Sequence, residues 1–306
     1  MRHVSAVICT RNRPDLIGSA VASVLANDYP DFDLLVVDQS TDGRTGETVR
    51  ALMATHPNLR YLHTEIAGLS RAYNLGIRET SGEVLAFTDD DCIAPPDWIA
   101  NAVDAFEGAP EAELLYGQVD LPAGLDTTGG YVPTLAIERK ERLSRADGFR
   151  IYGMGANFAA RRSLFERIGP FDEVMGGGGP LKSSQDFDIQ YRAYLGGATI
   201  LLAPEVRVDH YGLRRGDEWP ATLRAYGIGD GAFYWKHVRC GDLYAMRMFA
   251  SRFGRLAVRE TLSVLGLRRR GSFAVYLRSC LEGVRESLRF PVDRQRRLYV
   301  NRLATV

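Results

Sequence analysis

Cysteine is scarce in this 306-residue chain. Its four thiols, Cys9, Cys92, Cys240 and Cys280, form no C-x-x-C pair, which argues against a disulfide framework and against a thiolate zinc site. Long apolar runs are missing too: no stretch approaches the roughly 20 residues needed to cross a bilayer, and Arg2 and His3 lead straight into a short apolar segment rather than a signal peptide. Two phosphate-binding glycine signatures are also absent. No G-x-G-x-x-G follows the first apolar segment and no G-x-x-x-x-G-K-[ST] occurs, so neither a dinucleotide Rossmann domain nor a P-loop is supported. The expectation is a cytoplasmic protein with reduced thiols, long enough for one large α/β domain and an appendage.

Net charge is zero, 38 basic against 38 acidic side chains, but the balance is uneven along the chain. Residues 236–302 carry 16 Lys and Arg against 5 Asp and Glu, leaving 22 against 33 for residues 1–235. Opposite charge in two segments suggests two roles, and we divide the chain into an α/β domain over 1–215 and a basic helical region over 216–306.

The first of these reads as alternating strands and helices. Strands are expected at His3–Cys9, at D-F-D-L-L-V-V-D ending in Asp38, and at Leu59–His63. Helices are expected after Pro14, over Thr48–Thr55 and over Leu69–Glu79. A fourth strand, V-L-A-F-T, runs into three carboxylates, Asp89, Asp90 and Asp91. Such alternation is the signature of a doubly wound, mostly parallel sheet flanked by helices. Ligands bind at the C-terminal edge of these sheets, where Thr10, Arg11 and Asn12 follow the first strand and Asp38 and Gln39 the second. Three adjacent acids repel one another unless a cation sits among them, and a hard divalent ion such as Mn²⁺ or Mg²⁺, shared with a diphosphate, suits oxygen ligands. The plainer alternative is an acidic turn that caps the next helix.

Six blocks then stand in order: V-S-A-V-I-C-T-R-N-R-P, L-L-V-V-D-Q-S-T-D, G-L-S-R-A-Y-N-L-G-I, L-A-F-T-D-D-D-C-I-A-P-P-D-W, the run from Gly155 to Glu173, and the run from Gln185 to Ala198. Together they resemble the family 2 glycosyltransferases, which have the GT-A fold. The resemblance implies that Asp38 and its neighbours, with Arg71 of the third block, hold a nucleotide-diphospho-sugar donor. It implies that Asp89 and Asp91 are the outer residues of a D-x-D motif, with Asp90 between them and Asp91 the direct metal ligand. The family's catalytic base falls on Asp186, and His210 completes the metal site. Gln185 replaces an acid common in the family, and Gln39 stands where many members have Asp or Asn, which leaves the nucleotide base open. Asp188 is the fallback for the base. Asn157 and Phe158 would face the acceptor, and Arg214 and Arg215 would close on the diphosphate.

Bottom-up support for the base is that Gln185–Leu195 reads as a helix, whose first turn keeps an Asp ionised. Upstream, four glycines at Gly176–Gly179 suggest either a lid or a loop without a role. In the tail, Leu243, Met246, Phe249, Phe253 and Leu256 form an apolar stripe with Arg247, Arg252, Arg255 and Arg259 around it, and Arg268–Arg270 separate two helices. That pattern suits three settings: an anionic membrane surface that presents a carbohydrate or lipid-linked acceptor, packing on the acidic domain, or a homodimer contact. No nucleic-acid-binding motif accompanies the arginines. Two rival readings of the whole chain are a sugar-nucleotide nucleotidyltransferase and a catalytically inactive scaffold at a membrane.

Overall fold

The computed structural model describes residues 2–265 and 273–301; the three arginines at 268–270 lie outside them. In chain order the elements are β1 Val4–Thr10, α1 Pro14–Leu25, β2 Phe32–Asp38, α2 Arg44–Met53, β3 Leu59–His63, α3 Leu69–Glu79, β4 Val84–Asp89, β5 Cys92–Ile93, α4 Trp98–Glu107, β6 Ala112–Asp120, β7 Gly130–Tyr131, β8 Glu141–Leu143, β9 Asn157–Arg161, α5 Arg162–Ile168, α6 Gln185–Leu195, β10 Thr199–His210, β11 Arg214–Arg215, α7 Trp219–Arg239, α8 Leu243–Val264, α9 Phe273–Ser287, β12 Val292–Asp293 and β13 Leu298–Tyr299.

A nine-stranded sheet runs β3-β2-β1-β4-β9-β6-β10-β5, with β8 also paired to β10. The first four strands in this order are parallel, and β9 is antiparallel to both its neighbours, which makes the sheet mixed. β1 and β4 are buried along almost their whole length, as continuous apolar strands covered on both faces must be. The register sets Thr10 beside Asp38 and Cys9 beside Asp89, so the polar strand ends share one edge. Two departures from expectation have simple causes. α2 begins at Arg44, because Asp42 accepts from the Arg44 N–H and opens the helix there. The run L-L-A-P-E-V-R-V-D-H, which the sequence alone reads as two short strands, is a single β10, irregular between Ala203 and Arg207 where Pro204 interrupts the ladder.

The chain divides into two units, and the division is not a cut at residue 215. One unit comprises residues 1–67, 71–171 and 189–214; the other comprises 68–70, 172–188 and 215–306. The first unit's core is the sheet with α1, α4 and an aromatic cluster in which Phe87 stacks on Phe158 at 4.5 Å, with Tyr73 at 5.2 Å from Phe87. In the second unit α7 packs on α9 through small residues. A side-chain carbon added at Gly227 would lie 2.6 Å from Ser279, and ones at Gly231 and Gly283 would strike the facing backbone. α7 therefore approaches α9 far more closely than alkyl side chains permit.

In the same unit the apolar stripe of α8 turns inward. Phe249 lies 5.8 Å from Tyr234 and 6.2 Å from Trp235 of α7, and Phe249 and Phe253 are 5.0 Å apart. Of the stripe, Leu243 and Met246 remain exposed, and Arg252 points into the unit rather than joining the outer charge. The glycine segment is tied down by hydrogen bonds from the Gly176 N–H to the Ser183 carbonyl and from the Leu69 N–H to the Gly177 carbonyl.

Candidate active site

At the C-terminal edge of the first unit's sheet, β4 ends in Asp89, and a tight turn brings Asp90 and Asp91 to the start of β5. β5 pairs antiparallel with β10 so that Cys92 faces His210, which carries Asp91 and the imidazole to the same spot. His210 Nδ1 donates to the Pro133 carbonyl at 2.7 Å. In the neutral ring Nε2 must then hold a lone pair, and it lies 3.2 Å from Asp91 Oδ1, a buried oxygen that has no hydrogen-bond partner while that ring is neutral and gains one when it is protonated. Two lone pairs at that separation require a cation, either the proton that makes His210 an imidazolium or a metal ion.

Space is reserved beside them. A Cβ at Gly212 would sit 2.6 Å from both Asp91 Oδ2 and His210 Nε2, so the glycine leaves open a volume that any other residue would fill. Carboxylate and imidazole suit a hard or borderline divalent ion. Cys92 is the third nearby donor, but burial and the neighbouring carboxylates push its thiol well above the usual range and keep it protonated.

Arg13, which precedes Pro14 at the start of α1, meets the acidic edge and was not among the residues picked out from the sequence. Its guanidinium donates to Asp90 Oδ1 at 2.8 Å and to Asp91 Oδ2 at 2.7 Å. Burial works against ionisation of Asp91, but hydrogen bonding and charge from His210 and then Arg13 outweigh it and hold the carboxyl at about 2. For Asp89, burial and the charges of Asp91 and Asp90 act together and push it up to about 7. Asp90 is also raised, chiefly by burial, with Arg13 opposing. The His210 ring is raised, since Asp91 outweighs its burial. The three carboxylates are thus held in different protonation environments by one arginine and one histidine.

A cavity of about 440 Å³ opens at the ends of β2 and β3, lined by Gln39, Ser40, Thr41, Asp42, Gly43, Arg50, Tyr61, His63 and Glu65. Asp38 stands behind it, fully buried, accepting from the Ser40 N–H and the Tyr61 hydroxyl, both at 2.8 Å. Gln39, not Asp38, meets the cavity. Asn12 adopts a left-handed φ of 56°, which Asn tolerates, and its Oδ1 accepts from the Thr41 N–H at 2.9 Å, clamping the first strand's loop to this rim. Thr10 is buried, Arg11 is exposed and Arg71 is half-buried. Arg214 is half-buried with its Nε lacking a hydrogen-bond partner.

Two expectations are corrected. Asn157 does not face an acceptor. Its amide nitrogen donates to the Gln118 and Val206 carbonyls and its oxygen accepts from the Trp98 indole N–H, so a 1% exposed side chain is spent on tying α4, β6 and β10 to β9. Phe158 is 2% exposed inside the aromatic cluster.

In the second unit Asp186 occupies the first turn of α6, half-buried, with Oδ1 accepting from the Phe187 N–H at 3.0 Å. Asp188 cannot serve as its substitute. It is fully buried, 2.6 Å from Lys236 Nζ and 2.9 Å from His237 Nε2. Arg215 is exposed.

The sequence model of glycosyl transferase family 2 matches residues 5–169. The chain belongs to that family. This family 2 member is 29% identical over 181 residues to glycosyltransferase AglE of Haloferax volcanii, a match covering 58% of each chain. It is 25% identical over 215 residues to that organism's glucosyl-dolichyl phosphate glucuronosyltransferase, covering 68% of each. The matched part is thus 58% of the length of AglE. Among solved structures, mannosyltransferase PcManGT from Pyrobaculum calidifontis, in complex with GDP-Man and Mn²⁺, superposes with a TM-score of 0.60 at 20% identity, covering 94% of this chain and 87% of that one. S. aureus TarS 1-349 with UDP-GlcNAc gives 0.57 at 18% identity, covering 74% and 66%. The mixed, mostly parallel sheet flanked by helices is therefore the GT-A fold.

Proposed function

We propose that the chain is an inverting glycosyltransferase that moves a sugar from a nucleotide diphosphate to an acceptor hydroxyl, with Asp186 as the base. The observation that carries the donor half is the buried Asp91 Oδ1 lying 3.2 Å from His210 Nε2, a pair that needs a cation between its members, together with the space at Gly212. Asp91 and His210 would hold Mn²⁺ or Mg²⁺, which when bound stabilises the negative charge on the departing diphosphate. The cavity edged by Gln39 and Tyr61 takes the base and ribose, with Thr10, Arg11 and Asn12 at its side. Arg71, Arg214 and Arg215 pair with phosphate oxygens, and Asp89 and Asp90 complete the acidic edge. Asp186, in the first turn of α6 where the helix dipole favours negative charge, accepts the acceptor's hydroxyl proton as that oxygen attacks the anomeric carbon from the face opposite the leaving diphosphate.

A lipid-linked acceptor is favoured by the outer faces of α8 and α9, where Leu243, Met246, Val258 and Leu281 are exposed among Arg247, Arg255, Arg259, Arg278 and Arg285. No helix among the described residues is long and apolar enough to cross a membrane. Salt-reversible sedimentation with vesicles containing anionic lipid tests that part.

The donor half is tested by thermal shift with UDP, GDP, dTDP and ADP and their sugars, with and without Mn²⁺. One nucleotide at about 100 times its Kd should stabilise the wild type by roughly 2.7 kcal/mol. That gain should depend on Mn²⁺ and vanish in Asp91→Ala. Equal metal dependence in both proteins would remove Asp91 from the site.

A further inference from the structure

The second unit grips the turn that carries Asp186 from two sides, and both grips come from α7. Ser184 opens α6, since its carbonyl accepts from the Asp188 N–H at 3.0 Å. It does so with φ of 65°, and Lys182 two residues earlier has φ of 68°. Left-handed backbone at Ser and Lys is unfavourable and persists only where surrounding contacts over-determine it.

Those contacts are present. The Ser184 hydroxyl donates to Asp230 Oδ1 at 2.7 Å. Asp230, 4% exposed, also receives Arg252 Nη2 of α8 at 2.8 Å and the Tyr276 hydroxyl of α9 on its other oxygen, while Arg252 donates to the Tyr276 oxygen at 2.6 Å. The neighbouring Gly229 allows the approach, because a Cβ there would lie 2.6 Å from the Ser183 carbonyl carbon. Nearly two turns further along α7, Lys236 and His237 hold Asp188. Asp186 lies between the two anchored residues.

We infer that Asp230, braced by Arg252 and Tyr276, is a positioning residue for the base Asp186: through Ser184 it fixes the backbone that aims the carboxylate. The α7–α9 region is then part of the catalytic apparatus. This rests on the reading of Asp186 as the base. The geometry explains why an Asp–Arg–Tyr group, with both Asp230 oxygens hydrogen-bonded, meets the chain at the residue before the helix that bears Asp186.

The test uses full-length wild type, Asp230→Asn, Ser184→Gly and Asp186→Asn, and the two doubles that combine Asp186→Asn with each of the others. Ser184→Gly keeps the left-handed backbone accessible and leaves the Asp230–Arg252–Tyr276 group intact, so it serves if Asp230→Asn fails to fold. Turnover is read as nucleoside diphosphate released from the donor that the thermal-shift screen selects. Hydrogen–deuterium exchange over residues 182–190 needs no donor.

The inference expects faster exchange in that segment and kcat lower on the order of 10- to 100-fold, with donor KM unchanged. It also expects no further loss when either change is added to Asp186→Asn, because a positioning residue has nothing left to aim. Unchanged exchange, or kcat losses that multiply in the doubles, would overturn it while leaving the base in place. Near-normal turnover of Asp186→Asn would remove the base itself and the inference with it.

Discussion

Lys236→Met removes the ammonium that lies between two buried carboxylates, Asp172 and Asp188. Lys236 is fully buried with Nζ 2.7 Å from Asp172 Oδ2 and 2.6 Å from Asp188 Oδ1; the Tyr299 N–H donates to the same Asp172 oxygen at 2.8 Å. Methionine fills nearly the same volume, so little cavity forms and the cost is electrostatic. Two carboxylates without solvent lose their counter-charge, a change worth about 3–5 kcal/mol. Against a total stability on the order of 5–15 kcal/mol that is a large fraction, and it corresponds to a melting temperature lower by roughly 10 °C. The assay is urea unfolding at pH 7 followed by intrinsic fluorescence. Adding Asp188→Asn to Lys236→Met should recover more than half of the loss, since the harm lies in the unpaired charge and not in the missing lysine. A Lys236→Met protein within about 1 kcal/mol of wild type, or a double variant worse than the single, would refute the reasoning.

Three further outcomes follow from the same structure. Gly212→Ala places a carbon 2.6 Å from Asp91 Oδ2 and His210 Nε2, so Mn²⁺ affinity by isothermal titration should fall on the order of 10- to 100-fold with little change in melting temperature. Arg13→Met removes the cation that bridges Asp90 and Asp91, so the nucleotide-free protein should bind Mn²⁺ more tightly while losing stability in metal-free buffer. His237 is pulled down from 6.5 to about 4, chiefly by burial, so the native state refuses a proton that the unfolded state accepts. Its contribution is intact above pH 6.5 and is lost as the pH falls from 6.5 toward 4, about 3 kcal/mol in all. The difference between wild type and His237→Gln over that window isolates it from His210, whose pKa is raised and whose effect has the opposite sign.

What the sequence made legible was local. β1 through β4 could be read because each is a short apolar run followed by a helical period, and the acidic edge because strand ends in a parallel sheet must face one way. The Asp91–His210 approach depends on an antiparallel pairing between β5 and β10 that joins residues more than a hundred positions apart, and only the family resemblance anticipated it. Arg13 was within a quoted block, but T-R-N-R-P does not say which arginine turns toward the acids. Its place just before the proline that starts α1 was the available clue. Asn157 was misread because an amide before an apolar run looks the same whether it meets a ligand or three buried partners. Arg252 sat at a helical spacing that suited a charged outer face, and nothing in periodicity reveals a buried Asp on another helix.

The membership of residues 172–188 in the unit of α7–α9 has a consequence for how this protein can be recombined with its relatives. A chimera joined near residue 215 would look natural on sequence, since the family model ends before it, at residue 169, and the basic helical region begins after it. It would nonetheless separate Lys236 from Asp172 and Asp188, and Asp230 from Ser184, pairing each with whatever the donor chain supplies. The heritable block is discontinuous: residues 172–188 and everything from 215 onward must travel together. Along a lineage, substitutions at Asp172, Ser184 and Asp188 should therefore track those at Asp230, Lys236 and His237 rather than those in the sheet that surrounds them in the sequence.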